Sequence, residues 1–216
     1  MRSYFISILL NFSITIAAVL AVIRFKYVIR SFRPFIFFIW LGLANETVSI
    51  ITIYTAGSNM LNSNIFVLLE YLLVVIQFNV WNFHPKRNYI VLAGLGTAVW
   101  ITDNFVLNSI TQNNSLFRTF YSFVIVLFSI NEIGKILIFQ RGSLLKNAVF
   151  IICITFLFYY GSKSFVETFN AFNEKLHPHI LWNVWIIMYF VNAISNILYA
   201  LAILCIPTRQ EFTLPY

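Results

Sequence analysis

The sequence predicts an all-α membrane protein, one bundle of seven transmembrane helices. Three observations predict it. Hydrophobic residues make up 60% of the 216-residue chain and charged residues only 10%, a balance far from that of a water-soluble domain. Seven apolar runs reach the length of about 20 residues that a ~30 Å hydrocarbon core demands of a helix. Basic residues gather in alternate connectors, the asymmetry by which short cytoplasmic loops are retained.

The first run, 4–24, follows Arg2 and leads into a block holding Arg24, Lys26, Arg30 and Arg33. It is long for the apolar region of a signal peptide and meets a basic block instead of a polar mature domain, so it is read as a retained helix. The second run, 34–54, ends at "TAGSNMLNS", and the third, 64–82, ends at "NFHPKRN". The fourth, 89–108, reaches "LNSITQNNS"; the fifth, sixth and seventh cover 116–137, 148–168 and 181–206. These connectors are short and polar, which leaves no stretch for a separate soluble domain, and residues 1–216 are expected to form one membrane domain.

Orientation follows from the connectors. Those after the first, third and fifth runs carry Arg24 to Arg33, then Lys86 and Arg87, then Arg141 and Lys146. Those after the second and fourth carry no Lys or Arg, and the connector after the sixth offers Lys175 beside Glu174. The expectation is an N-terminus outside and a C-terminus in the cytoplasm, with the chain multi-pass in the cell inner membrane. The net charge of +7 is then accounted for by topological anchors and contacts with anionic lipid headgroups. No basic stripe interleaved with aromatics for base stacking is visible, so nucleic acid is not an expected partner. Cys153 and Cys205 lie inside apolar runs and read as buried small hydrophobes.

Charges within the runs carry the functional reading. At ~1.5 Å per residue, Glu46 lies ~18 Å and Asp103 ~21 Å from the cytoplasmic ends of their helices, and Glu70, in "FVLLEYLLVVIQF", lies ~9 Å below the outer surface. Arg118 opens the fifth helix from the outside; Lys163 lies near the outer end of the sixth, with Glu167 one turn later. A charge at the centre of a membrane helix costs roughly 2.5–3.5 kcal/mol on insertion scales, so three acids in one layer should face inward and share protons, water or the two cations. Glu46, Glu70, Asp103, Arg118 and Lys163 are therefore read as walls of an outward-facing polar chamber. The competing reading is structural, with these groups joining helices by hydrogen bonds and no ligand involved.

Helical stripes support an inward-facing set. Glu70 and Gln77 share a face of the third helix, Gly42, Glu46 and Ser49 of the second, and Gly96, Trp100 and Asp103 of the fourth. The seventh helix carries Trp182, Trp185, Tyr189, Asn192, Asn196 and Tyr199 at spacings of three and four. Its outer aromatics suit an interfacial belt. Trp185, Tyr189 and Asn192 join the candidate ligand-binding residues, while the two asparagines also suit helix-to-helix hydrogen bonds. Near the inner end, Glu132 and Lys135 are three apart, a spacing at which they neutralise each other.

Function classes narrow by residue. The seventh run has no Lys, so there is no Schiff-base residue for retinal. No G-x-S-x-G elbow, phosphate-binding Gly loop or Cys-His pair appears, and no cofactor is indicated. A zinc-dependent intramembrane hydrolase stays open through His177 and His179 in "KLHPHI" with one of the acids; His84 falls on the other side. A proton-coupled small-solute transporter stays open because membrane acids serve proton coupling, although the "LANE" and "SINE" segments do not extend into an internal repeat. The favoured class is a receptor-like or accessory protein that binds a small polar or lipid-like molecule and passes any signal to a separate protein at the cytoplasmic face.

"WLGLANETVSI", "NIFVLLEYLLVVIQF" and "LWNVWIIMYFVNAISNILYA" together resemble the small seven-helix inner-membrane proteins of the Bacteroidota. In those proteins a Glu sits early in the third helix and an aromatic-rich last helix follows an extracellular loop; Glu46, Glu70 and the stripe from Trp182 to Asn196 are the matching positions here. "LWNVW" departs from the Phe-Trp pair of that helix. The resemblance implies a cell-envelope protein and supplies no activity.

Overall fold

The computed structural model describes residues 9–82, 86–139, 142–171 and 178–207. Every regular element among them is helical. The elements are α1 (Ile14–Arg24), α2 (Arg33–Ala56), α3 (Met60–Trp81), α4 (Lys86–Ile101), α5 (Ser115–Phe139), α6 (Ala148–Ala171) and α7 (Pro178–Cys205). Short 3-10 turns, Arg30–Phe32 and Leu144–Lys146, precede α2 and α6, and a π-helical stretch, Thr102–Leu107, continues α4.

Among the described residues six helices are long and apolar enough to cross a membrane, α2 to α7, with α4 counted together with its π-helical continuation. The first is shorter: with a turn at Phe12–Ser13, the apolar helix runs Leu9–Arg24, or ~24 Å. The pattern of burial is that of a multi-pass membrane protein. On α3 the polar Asn64, Glu70 and Gln77 are buried while Ile65, Leu69, Ile76 and Val80 are exposed, the reverse of a helix in water, where the exposed face is polar.

Local sequence chemistry sets the helix ends. Pro34 stands in the first turn of α2, where its missing N–H costs nothing, and Gly57 ends that helix at φ +73°, its N–H donating to Ile53 O at 3.0 Å. The Asn147 side chain accepts the Phe150 N–H at 3.1 Å and caps α6. Gln77, from α3, caps α2 in trans: its Oε1 accepts the Phe35 N–H at 2.8 Å and its amide donates to Ser31 O at 2.7 Å.

Consecutive helices run antiparallel and pack on one another, and α7 returns to α1 to close the circuit. Arg24 fastens this closure by donating to Ile203 O at 2.7 Å and Leu204 O in the last turn of α7 and to Ile206 O, just beyond it, at 3.3 Å, a cation where the helix dipole is negative. The centre is aromatic: Phe35 and Phe38 of α2, Phe78 of α3, Tyr121 of α5, Phe156 and Tyr160 of α6 and Tyr199 of α7 are all buried. At Gly42 and Gly96 neighbouring helices come within reach of where a Cβ would stand, Ile14 Cδ1 at 2.5 Å in the first case and the Tyr71 ring in the second. Gly96 thereby admits Tyr71, whose hydroxyl donates to Leu92 O at 2.7 Å.

At the end that collects Arg24, Arg33 and Lys146, Glu132 meets Lys135 at 2.7 Å, and Asn82 donates to the same carboxylate oxygen at 2.7 Å. Cys153 is buried and Cys205 partly buried, both free.

Candidate functional site

Toward the other end, two acid–base pairs are buried side by side. Glu70 of α3 and Lys163 of α6 are 3% and 7% exposed, and their charged atoms stand 3.4 Å apart. Tyr121 of α5 completes a donor chain: Lys163 Nζ donates to the Tyr121 hydroxyl, which donates to Glu70 Oε2 at 2.6 Å. The Lys163 ammonium lies 5.1, 5.4 and 5.9 Å from the ring centroids of Tyr121, Tyr159 and Tyr160. Ring faces are electron-rich, so three of them around one cation offset part of the cost of removing it from water. Tyr159 and Tyr160 stand four and three residues before Lys163, which puts two of the three rings on the same helix as the cation, while Tyr121 comes from α5.

The second pair is Arg118 of α5 and Glu167 of α6, 3.8 Å apart. Arg118 also donates to Ser63 Oγ and Asn64 Oδ1, both at 2.9 Å. Glu167 accepts from Ser115 Oγ at 2.9 Å and Asn170 at 3.3 Å. Asn64 in turn donates to Ile110 O at 2.7 Å and Gln112 O at 2.8 Å, and its own carbonyl accepts from Trp100 Nε1 at 2.8 Å. The connector between α4 and α5 is thus tied down to α3.

Two polar atoms in this tier have no hydrogen-bond partner among the described residues: Arg118 Nε, a donor, and Asn114 Oδ1, an acceptor. Asn114 immediately precedes α5 and Arg118 lies in its first turn.

The other sequence candidates fall into place around these pairs. Glu46 is partly buried, hydrogen-bonds Asn11 and lies within electrostatic reach of Lys163. Asn11 accepts from Asn192 at 3.2 Å, so one side chain just before α1 joins Glu46 of α2 to Asn192 of α7; Asn196 donates to Ser13 Oγ at 2.9 Å. The adjacent Asn45 accepts from Asn62 of α3 at 2.9 Å, so "ANE" binds α2 to both flanking helices. Trp185 packs with Tyr159 against Val166, Met188 and Val191 between α6 and α7. Tyr189 is partly buried on α7.

Asp103 is fully buried, and its two oxygens accept from the Phe117 N–H at 2.8 Å and from Asn108 at 2.9 Å. It therefore caps the first turn of α5 from the π-helical end of α4. The wider π turn also leaves Asn104 free to donate to Trp100 O at 2.9 Å and accept from Asn114 at 2.7 Å.

Sequence reasoning did not single out Tyr121, Tyr159 or Tyr160, since a tyrosine in an aromatic-rich helix reads as core. The available signal was their spacing of three and four residues from Arg118 and Lys163.

His177, with His84, Arg141, Glu174 and Lys175, lies outside the described residues, as do the side chains of His179 and Trp182. Among the described residues no three His, Cys, Asp or Glu side chains gather as a metal site would require. Two open grooves of about 630 and 540 Å³ lie on the outside of the bundle, one beside Val22, Trp40 and Leu43, the other beside Val99, Leu116 and Phe120. Neither includes the acid–base pairs.

Comparison with protein-family models, curated proteins and solved structures returns no match. Chemically, the site offers a carboxylate, a phenol and an amine in one hydrogen-bonded row, beside a guanidinium with an N–H to spare.

Proposed function

We propose that the protein is a receptor-like or accessory integral membrane protein that binds a small polar or lipid-like molecule at the tier formed by Arg118, Lys163, Glu70 and Glu167. In this reading α1 is a seventh span, the N-terminus is outside, the tier faces the outer half of the cell inner membrane, and a separate cytoplasmic protein receives any signal.

The observation that carries the reading is a buried donor and a buried acceptor, Arg118 Nε and Asn114 Oδ1, that have no hydrogen-bond partner among the described residues. A network whose sole task is to hold helices together gains most when every buried polar atom is paired. A donor and an acceptor left over beside balanced acids and bases suit a guest that supplies the complementary acceptor and donor, as a zwitterion or a lipid headgroup does.

The test is the thermal stability of purified wild-type and Glu70→Gln protein across a panel of lipids and polar metabolites. A ligand that binds only the folded form stabilises it by about 2.7 kcal/mol at a hundredfold excess over Kd. A compound that raises the melting temperature of the wild type and not of the variant supports the reading. If nothing in the panel shifts the wild type while Glu70→Gln alone lowers its stability, the tier is helix-joining structure and the reading fails. Orientation is tested separately with single cysteines: Ser58→Cys and Asn113→Cys should react from outside and Lys86→Cys from inside.

A further inference from the structure

Below the Glu70–Lys163 pair, three hydroxyls are buried without a hydrogen-bond partner among the described residues: Tyr160 of α6, and Ser195 and Tyr199 of α7. Tyr160 and Ser195 are 0% exposed and Tyr199 3%. Packing brings the three to neighbouring levels. With α6 and α7 antiparallel, Val166 packs on Met188 and Val191, and the Phe156 and Tyr199 rings meet at 5.9 Å. The same register sets Ser195 level with Tyr160. Ser195 and Tyr199 are four residues apart, on one face of α7.

The rings are held independently of their hydroxyls. Tyr199 packs against Phe35 at 5.7 Å and Phe38 at 5.6 Å, and Tyr160 against Tyr121 at 5.8 Å and Phe156 at 5.6 Å. Phenylalanine at either position would keep these contacts. Burying a hydroxyl without a partner costs stability, and one helix interface carrying three is a cost that apolar residues would avoid. A buried water is stable where two to four polar groups converge on it.

We infer that Tyr160, Ser195 and Tyr199 form an internal hydration site between α6 and α7, in which bound water joins the three hydroxyls. It lies one turn inward from Lys163 and is distinct from the Arg118 and Asn114 atoms on which the ligand-binding reading rests. It holds whether or not that reading does. Each hydroxyl both donates and accepts, so bound water pairs them without a further side chain. The water also extends the polar interior of the bundle from the acid–base pairs toward its middle.

Two measurements test this on the full-length protein in detergent. The first is a double-mutant cycle of Tyr160→Phe and Tyr199→Phe, with Ser195→Ala as a third corner. If the hydroxyls share water, each replacement lowers the melting temperature, and the double replacement lowers it by less than the sum, because the first already breaks the shared network. Melting temperatures at or above wild type would mean the hydroxyls are bare, and strictly additive losses would mean separate partners; either result overturns the inference.

The second is radiolytic hydroxyl-radical footprinting, which labels side chains beside bound water. Tyr71 serves as control, being equally buried with its hydroxyl on Leu92 O. Labelling of Tyr160 or Tyr199 several-fold above Tyr71 is the expected result, and equal labelling of all three refutes the site even if a variant fails to purify.

Discussion

Replacing Glu70 by Gln should destabilise the bundle strongly, and replacing Lys163 along with it should restore most of the loss. Glu70 Oε2 is the acceptor for the Tyr121 hydroxyl at 2.6 Å and stands 3.4 Å from Lys163 Nζ. Both charged side chains are more than nine-tenths buried. Gln keeps the volume and one carbonyl acceptor, so Tyr121 can still donate. What disappears is the negative charge, leaving the ammonium enclosed by the rings of Tyr121, Tyr159 and Tyr160.

Removing one partner of a buried pair costs about 3–5 kcal/mol, whereas removing both in favour of apolar groups of similar size is close to neutral. At about 2–4 °C per kcal/mol for a chain of 150–250 residues, Glu70→Gln should lower the melting temperature by roughly 6–20 °C. Lys163→Met alone strands the carboxylate and should act similarly. The double variant should lie within a few degrees of wild type. The assay is thermal unfolding of the four purified proteins, followed by tryptophan fluorescence in one detergent. A double variant whose loss equals the sum of the single losses would refute the coupling, and with it the claim that the pair is one buried electrostatic unit.

Two further substitutions probe the frame around the site. Asp103→Ala removes the acceptor of the Phe117 N–H, a group buried in the first turn of α5, and should cost about 1–3 kcal/mol; Asp103→Asn keeps an oxygen there and should cost measurably less, as read from denaturant or thermal unfolding. Arg24→Gln loses the charged donor to three carbonyls at the end of α7, a loss of about 1–3 kcal/mol. Limited proteolysis should then show α1 more readily cleaved, with the pattern over α3 to α6 unchanged.

Much of the fold is legible in the sequence because membrane helices are specified by length and apolarity. The runs beginning near 34, 64, 116 and 148 each coincide with a helix of 22–25 residues, since a ~30 Å core leaves few alternatives. The pair Glu132–Lys135 is likewise local: one helix carries both partners. The site is legible only in part. That Glu70, Arg118 and Lys163 would be buried follows from the cost of exposing them to lipid. Which acid meets which base does not follow, because the partners lie on different helices and helical periodicity says nothing about azimuth relative to a neighbour. Asp103 illustrates the gap. Its depth groups it with Glu46 and Glu70, yet the π-helical turn at the end of α4 directs it to the Phe117 N–H. Such a turn has no signature in hydropathy.

The sequence by itself determined that this is an all-helical, multi-pass membrane protein with charges it must hide. Composition and run length suffice for that, because the solvent imposes them residue by residue. Tertiary structure alone decided that Lys163 is caged by three tyrosines and shared with Glu70, that Arg118 Nε and Asn114 Oδ1 have no partner among the described residues, and that the segment from Asn11 to Arg24 is fastened to α7 through Asn11, Ser13 and Arg24. Those are contacts between residues up to 183 positions apart, and their geometry depends on the rotation and register of each helix against the next.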